Sequence, residues 1–167
     1  DWKVRKNLAA GRGERGTEII HFERAFHGRS GYALSLTNTD PRKTDYFAKF
    51  PWPRIATPRL DFALTPEPRL RDVIEKEKLA EGQIREVLAR KALDIAAIII
   101  EPIQGEGGDN HFRGEFLQLL RRLCQGARQA FVRARGNHAA EVRPVAGVRF
   151  GRGLWRDRLL ARRQAVA

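Results

Sequence analysis

Two carboxylates that follow a short apolar segment mark the first place where this sequence could do chemistry. Residues 97–100 are Ala-Ile-Ile-Ile, and residues 101–109 continue as Glu-Pro-Ile-Gln-Gly-Glu-Gly-Gly-Asp. Short β-branched runs that end in turn residues are typical of strands buried on both faces. In open α/β sheets, ligands bind beyond the carboxyl ends of such strands. We therefore predict a ligand site around Glu101 and Glu106.

The residue types at this site allow more than one chemistry. Glu101 and Glu106 could form an acid and base pair, as two carboxylates do in glycoside hydrolysis. Pro102 and the glycines of the loop favour a fixed turn that a ligand can approach closely. A two-carboxylate hydrolase is therefore one hypothesis, and a solvated loop without a catalytic role is the structural alternative.

A second polar turn, Phe-His-Gly-Arg-Ser-Gly at residues 26–31, offers different side chains. The guanidinium group of Arg29 can bind a carboxylate or phosphate in a bidentate way, although surface arginines are common. Phe26 could stack on a planar ligand or belong to the core. The four histidines show no metal-ligand spacing, so we predict no metal site. Cys124 follows Leu123 on a helix and is expected to fill the core.

The elements that would position these residues alternate between strand and helix. Residues 17–22 and 95–100 have the composition of strands. Residues 32–38 are expected to form a short helix, and helical spacing occurs on both sides of Gly82. Phe116, Leu119, Leu120 and Leu123 form an apolar stripe on a further helix. This order predicts an α/β fold with a mostly parallel sheet flanked by helices.

A proline-rich segment interrupts the regular elements. Residues 39–69 contain six of the eight prolines, a density that predicts no regular element in this segment. We predict an ordered excursion over the surface, held in place by burial of the aromatic rings of Phe47, Phe50 and Trp52.

The two polar turns together carry a family resemblance. Residues 26–38, Phe-His-Gly-Arg-Ser-Gly-Tyr-Ala-Leu-Ser-Leu-Thr-Asn, and the loop at 101–109 resemble class III aminotransferases. These enzymes use pyridoxal 5′-phosphate (PLP) and have fold type I. Residues 50–55 and 111–113 make the chain most similar to the members that act on the terminal amino group of lysine. The resemblance covers residues 1–125 and implies part of the large, PLP-binding domain.

The resemblance implies a role for six residues. Phe26 would stack on the PLP ring and His27 would also contact the cofactor. Arg29 would bind a substrate carboxylate, and Glu101 and Gln104 would line the same pocket. Glu106 would pair with a distant arginine and release it for a dicarboxylate. The implied reaction transfers the terminal amino group of lysine to 2-oxoglutarate in a cytoplasmic homodimer.

One element of the family pattern is missing from this sequence. The family places the lysine that forms a Schiff base with PLP after the region that resembles residues 1–125. The last lysine here is Lys91. The resemblance therefore implies a fragment that does not transaminate by itself.

The charge of the chain is concentrated near its C-terminus. The net charge is +12, yet residues 1–124 carry 22 Lys and Arg against 18 Asp and Glu. Residues 126–167 form a tail in which Gly, Ala, Arg and Val supply 29 of 42 positions. Such a bias is what GC-rich DNA yields in a wrong reading frame, so we interpret the tail as frameshifted or disordered. The alternative is an Arg-rich arm that binds nucleic acid through phosphate contacts.

Length and composition limit the remaining possibilities. A chain of 167 residues is long enough for one domain with an ordinary core. No apolar run approaches the roughly 20 residues that span a bilayer. A single cysteine excludes a disulfide framework and fits a reducing cytosol.

Overall fold

The computed structural model describes residues 2–127, 129–133 and 141–143, and its centre is a five-stranded sheet. The strand order is β2-β1-β3-β6-β7, in which all neighbours are parallel except β6 and β7. The bounds are β1 Glu18–Phe22, β2 Arg54–Ile55, β3 Ile95–Ile100, β6 Ala130–Arg133 and β7 Glu141–Arg143. The predicted mostly parallel α/β sheet is confirmed.

Four α-helices accompany these strands in the described part of the chain. They are α1 Trp2–Ala9, α2 Gly31–Leu36, α3 Pro66–Lys91 and α4 Gly114–Ala127, and a 3-10 turn covers Pro41–Lys43. Helix α3 begins after Thr65 with proline in its first turn, where the missing amide hydrogen costs nothing. It continues without a break through Gly82 for 26 residues. Across the described residues no helix is both long and apolar enough to cross a membrane.

The core lies between the sheet and the two longest helices. Ile98 and Ile100 of β3 are fully or almost fully buried, as are Phe116 and Leu120 of α4. Phe22 packs edge-on against Phe116, with ring centroids 6.0 Å apart, an orientation that the charge distribution of aromatic rings favours. The apolar stripe predicted for α4 therefore faces the sheet.

The loop after β3 contains a small element of its own. Strands β4, Ile103–Gln104, and β5, Asn110–His111, pair in antiparallel fashion. The glycine-rich residues 105–109 connect them, and Asp109 adopts a positive φ of 50°. The sequence predicted a turn here but not this hairpin.

The proline-rich segment departs from its prediction in two respects. It contains β2 and the 3-10 turn, although no regular element was predicted, and of its three predicted aromatic residues Trp52 is half-buried while the other two are exposed. Phe47 is 55% exposed and Phe50 is 48% exposed. The ring of Phe50 stacks on Trp52 and on Tyr32, with centroids 5.1 Å apart in each case. The prediction of burial for Phe47 and Phe50 was wrong, because Phe50 packs against other surface aromatics instead of the core.

The sheet extends past residue 125, where the resemblance that was predicted from the sequence ends. Helix α4 ends at Ala127, and β6 pairs with β3 from Ala97↔Ala130 to Ile100↔Arg133. Gln129 is fully buried and accepts a hydrogen bond of 2.9 Å from Lys3 Nζ. Residues 134–140 and 144–167, which make up most of the tail in the sequence prediction, lie outside the described residues.

Candidate functional site

The parallel pairing of β1 and β3 brings the two polar turns together. Residues 23–30, the Phe26 loop, follow β1, and residues 101–109, the Glu101 loop, follow β3. The backbone amide of Phe26 donates a hydrogen bond of 2.9 Å to Glu101 Oε2, across 75 positions of sequence. Because parallel strands end at the same edge of the sheet, the predicted site residues of both loops lie at one edge.

Glu101 is a buried carboxyl group in this site. Its residue is 4% exposed, and burial raises its pKa above the usual range. The hydrogen bond from the Phe26 amide acts in the opposite direction, and the negative charge of Glu106 raises the pKa further. Glu101 therefore connects the Phe26 loop to the end of β3 by a hydrogen bond and interacts electrostatically with Glu106.

Gln104 is fully buried and is held by protein groups at both ends of its amide. Its Nε2 donates to the carbonyl oxygen of Glu23 at 2.8 Å, and its Oε1 accepts from Asn110 Nδ2 at 2.9 Å. Asn110 Nδ2 also donates to the carbonyl oxygen of Gly107 at 3.0 Å. Gln104 thus joins the two loops, a role that its residue type alone did not reveal.

Gly107 allows the two loops to approach each other. A Cβ atom at this position would overlap the carbonyl oxygen of Arg24, so a larger residue would force the loops apart. Gly105 in the same loop has nothing within 4 Å of an added Cβ. Glycine is therefore required for space at Gly107, whereas Gly108 favours it because of its positive φ of 108°.

Two residues that sequence reasoning did not assign to the site hold the Phe26 loop from the other side. Thr37, fully buried, accepts a hydrogen bond of 2.9 Å from the His27 amide and donates one of 2.6 Å to the Gly28 carbonyl oxygen. Asn38 Nδ2 donates to the Phe22 carbonyl oxygen at 3.1 Å. The sequence feature that could have identified Thr37 and Asn38 is their position directly after a short helix. Thr and Asn side chains often hydrogen-bond to the backbone at such positions.

The three predicted residues of the Phe26 loop differ in exposure. Phe26 and His27 are half-buried and Arg29 is exposed. Burial, together with the nearby His21, lowers the pKa of His27 to about 4, so that its ring is neutral near pH 7. Its buried Nε2 has no hydrogen-bond partner among the described residues. Within the same residues, the Arg29 guanidinium group makes no hydrogen bond or ion pair.

Glu106 points to a different partner from Glu101. Its carboxylate forms an ion pair with Lys43 Nζ of the 3-10 turn. Sequence reasoning did not select Lys43, since the charge lies 63 positions away in the proline-rich segment. Each carboxylate is thus engaged by its own donor, an arrangement that does not favour the two-carboxylate hydrolase.

Comparisons with known proteins identify the family of this chain. The family model for class III aminotransferases matches residues 2–133. The chain is 46% identical over 134 residues to the L-lysine-epsilon aminotransferase of Amycolatopsis lactamdurans, covering 79% of this chain and 29% of that protein. It is 50% identical over 125 residues to the enzyme of that name from Mycobacterium tuberculosis H37Rv, covering 74% and 27%.

A solved structure shows the same fold. The lysine aminotransferase from M. tuberculosis in the internal aldimine form superposes with a TM-score of 0.72 at 46% identity, covering 78% of this chain and 29% of that one. The chain therefore spans less than a third of the length of these relatives. The comparisons give no support to nucleic-acid binding. The chain belongs to the class III aminotransferases, a family of PLP-dependent enzymes.

Proposed function

We propose that this chain supplies one wall of the active site of a PLP-dependent aminotransferase that acts on lysine and 2-oxoglutarate. The observation that carries the proposal is the Phe26–Glu101 hydrogen bond, which joins the two family motifs at one edge of the sheet. The identity of 46% to 50% with L-lysine-epsilon aminotransferases supports lysine as the amino donor. A cytoplasmic homodimer is part of the same proposal.

The residues at this edge fit one side of PLP. Phe26 is half-buried and has the aromatic ring that stacking on a pyridine requires. The buried His27 Nε2 has no hydrogen-bond partner in the described part of the chain, and this unsatisfied polar atom supports the proposed contact of His27 with the cofactor. When bound, PLP serves as an electron sink for bonds at the carbon that carries the amino group.

The substrate side of the site would use charged groups. Arg29 is exposed and carries no ion pair among the described residues, so its guanidinium group is available to a substrate carboxylate. Glu101, Gln104 and Glu106 line the opposite loop. The buried Glu101 and Gln104 orient the loops, whereas the half-exposed Glu106 offers a charge that a ligand can meet.

We also propose that residues 1–167 do not include the lysine that the family needs for catalysis. The resemblance places that lysine downstream, and no lysine follows Lys91 in this sequence. A side-chain amine is required for covalent attachment of the PLP aldehyde. We therefore expect the chain to contribute to binding and not to transaminate alone.

Two measurements with related ligands test the proposal. Pyridoxine 5′-phosphate has no aldehyde, so its binding reports the pocket without covalent chemistry. Phe26→Ala should weaken this binding about threefold to tenfold, the range expected for loss of an aromatic contact. Unchanged affinity in that variant would contradict the assignment of Phe26.

The second measurement addresses the missing lysine. PLP is added to the unsubstituted chain and to Phe26→Ala, in which nonspecific reaction with surface lysines is the same. We expect no stable visible absorbance band that is present in the first protein and absent from the second. A band that persists in the unsubstituted chain after gel filtration and is absent from Phe26→Ala would show that the chain has its own PLP lysine.

A further inference from the structure

Side chains from three segments form a continuous series of hydrogen bonds at the carboxyl edge of the sheet, which we call the amide network. At one end, Gln104 Nε2 donates to the carbonyl oxygen of Glu23 at 2.8 Å, and Asn110 Nδ2 donates to Gln104 Oε1 at 2.9 Å. At the other end, Arg59 Nη1 donates to Asn110 Oδ1 at 3.3 Å. Arg59 lies in the segment directly after β2. The amide network therefore connects the polypeptide that follows β1, β2 and β3.

The chemistry of its two ends fixes the direction of every bond in the amide network. The carbonyl oxygen of Glu23 can only accept a hydrogen bond, and the guanidinium group of Arg59 can only donate one. The amide nitrogen of Gln104 must therefore face Glu23, and the amide nitrogen of Asn110 must face Gln104. Asn110 Oδ1 is left as an acceptor that requires a donor, and Arg59 supplies it.

The two amides in the middle are buried, whereas Arg59 is exposed. Gln104 is fully buried and Asn110 is 3% exposed, so an acceptor that lost its donor there would be costly. Asn110 cannot turn its amide toward another donor without losing its bonds to Gln104 and to the Gly107 carbonyl oxygen. A surface arginine thus completes a buried arrangement.

The backbone around Arg59 is attached to both loops of the site. Thr57 Oγ1 donates at 2.6 Å to the same Glu23 carbonyl oxygen that Gln104 contacts. The Leu60 amide donates at 3.0 Å to the carbonyl oxygen of His111 in β5. These two bonds lie on either side of Arg59 in the sequence and keep its backbone beside the β4–β5 hairpin.

We propose that Arg59 is a positioning residue for the ligand site and acts through Asn110 and Gln104. Its guanidinium group keeps the two buried amides in one orientation, and this orientation sets how closely the Glu101 loop approaches the Phe26 loop. A site that is already formed loses less conformational freedom when a ligand binds. The effect on ligand binding rests on the proposed function.

Nuclear magnetic resonance of the full chain tests the amide network without a ligand. Arg59→Leu removes the donor, and we expect it to shift the side-chain amide signals of Asn110 and Gln104 and the backbone amide signals of the Phe26 loop. A contact without a positioning role would change the Asn110 signals alone. Because a single nitrogen of Arg59 makes the bond, Arg59→Lys should restore most of the shift. Arg71→Leu, at an exposed position of α3, is the matched control and should leave these signals unchanged.

Titration with pyridoxine 5′-phosphate tests the effect on the site. Arg59→Leu should weaken binding about threefold to tenfold, whereas Arg59→Lys and Arg71→Leu should stay within about twofold of the unsubstituted chain. Unchanged affinity in Arg59→Leu would overturn the effect of Arg59 on the ligand site.

The outcomes separate this inference from the proposed function. Signal changes confined to Asn110 in Arg59→Leu, or changes that Arg59→Lys fails to reverse, would overturn the positioning role. Absence of pyridoxine 5′-phosphate binding by the unsubstituted chain would contradict the proposed function, and the amide signals would still decide whether Arg59 orders the two loops.

Discussion

Single side chains decide how the two loops of the site meet. Gln104 and Thr37 are fully buried, and each bonds to the backbone of the Phe26 loop. Their polar groups are satisfied by protein atoms, so that loss of one partner leaves an unpaired buried group. The site is thus shaped by buried side chains that hydrogen-bond to the backbone of its loops.

At Thr37, we expect Thr37→Val to destabilise the chain by about 1–3 kcal/mol, because the His27 amide and the Gly28 carbonyl lose a shared partner. Urea unfolding followed by circular dichroism measures this change. Thr37→Ser keeps the hydroxyl group and should lose less. A larger loss in Thr37→Ser than in Thr37→Val would show that the methyl group, and not the hydroxyl, matters.

At Gly107, we expect Gly107→Ala to cost about 1–3 kcal/mol of unfolding free energy, because the new Cβ overlaps the Arg24 carbonyl oxygen. Gly105→Ala is the matched control in the same loop, since its Cβ meets no atom within 4 Å. The two variants can be compared by thermal unfolding. If both had the same midpoint, the close approach of the loops would be contradicted.

The packing of helix α4 against strand β3 supports the site. The fully buried Leu120 packs in the same core cluster as Ile98 and Ile100 of β3. The strand ends at Ile100, directly before Glu101, so the packing of α4 positions the start of the Glu101 loop. Helix α3 is linked to this region by a bidentate bond from Arg113 to Glu77, at 2.9 and 2.6 Å.

We expect Leu120→Ala to destabilise the chain by about 2–5 kcal/mol, since it leaves a cavity in the core. Leu79→Ala on α3 is the control, because that side chain is 57% exposed and should change stability by less than about 0.5 kcal/mol. Denaturant midpoints of the two variants test this difference. A small loss for Leu120→Ala would mean that α4 does not pack against the sheet as described.

For the molecule as a whole, buried histidines predict an acid-sensitive fold. Burial, with the charge of Arg54, lowers the pKa of His21 to about 4, and the pKa of His27 is also about 4. In the unfolded chain both histidines bind protons near the ordinary histidine pKa of about 6.5, whereas in the folded chain they do so only near pH 4. The unfolding free energy is therefore retained above about pH 6.5 and is lost as the pH falls toward 4. The raised pKa of Glu101 acts in the opposite direction.

Between about pH 7 and about pH 5, we expect each histidine to remove up to about 2 kcal/mol of unfolding free energy. Urea unfolding at both pH values measures the loss. His21→Gln should flatten the dependence, and the difference between the two proteins isolates this residue from Glu101. An equal pH dependence in both proteins would contradict a buried, neutral His21.

The sequence by itself determined the positions of β1, β3 and α4 and which family the chain resembles, but it missed β2 and the β4–β5 hairpin. The β-branched run at 95–100 and the apolar stripe of α4 are local patterns that need no distant partner. Residues 26–38 and 101–109 carried the resemblance that the family match confirmed. Phe26, Arg29 and Glu106 keep their predicted roles as proposals.

Only the tertiary structure decided how the loops after β1 and β3 are held and which charges meet there. Gln104 and Glu23 are 81 positions apart, and Lys43 and Glu106 are 63 apart. Such contacts depend on the parallel pairing of β1 with β3, which brings the ends of distant segments to one edge. The exposure of Phe47 and Phe50 was missed for the same reason, because an aromatic residue buries only where the rest of the fold provides a surface.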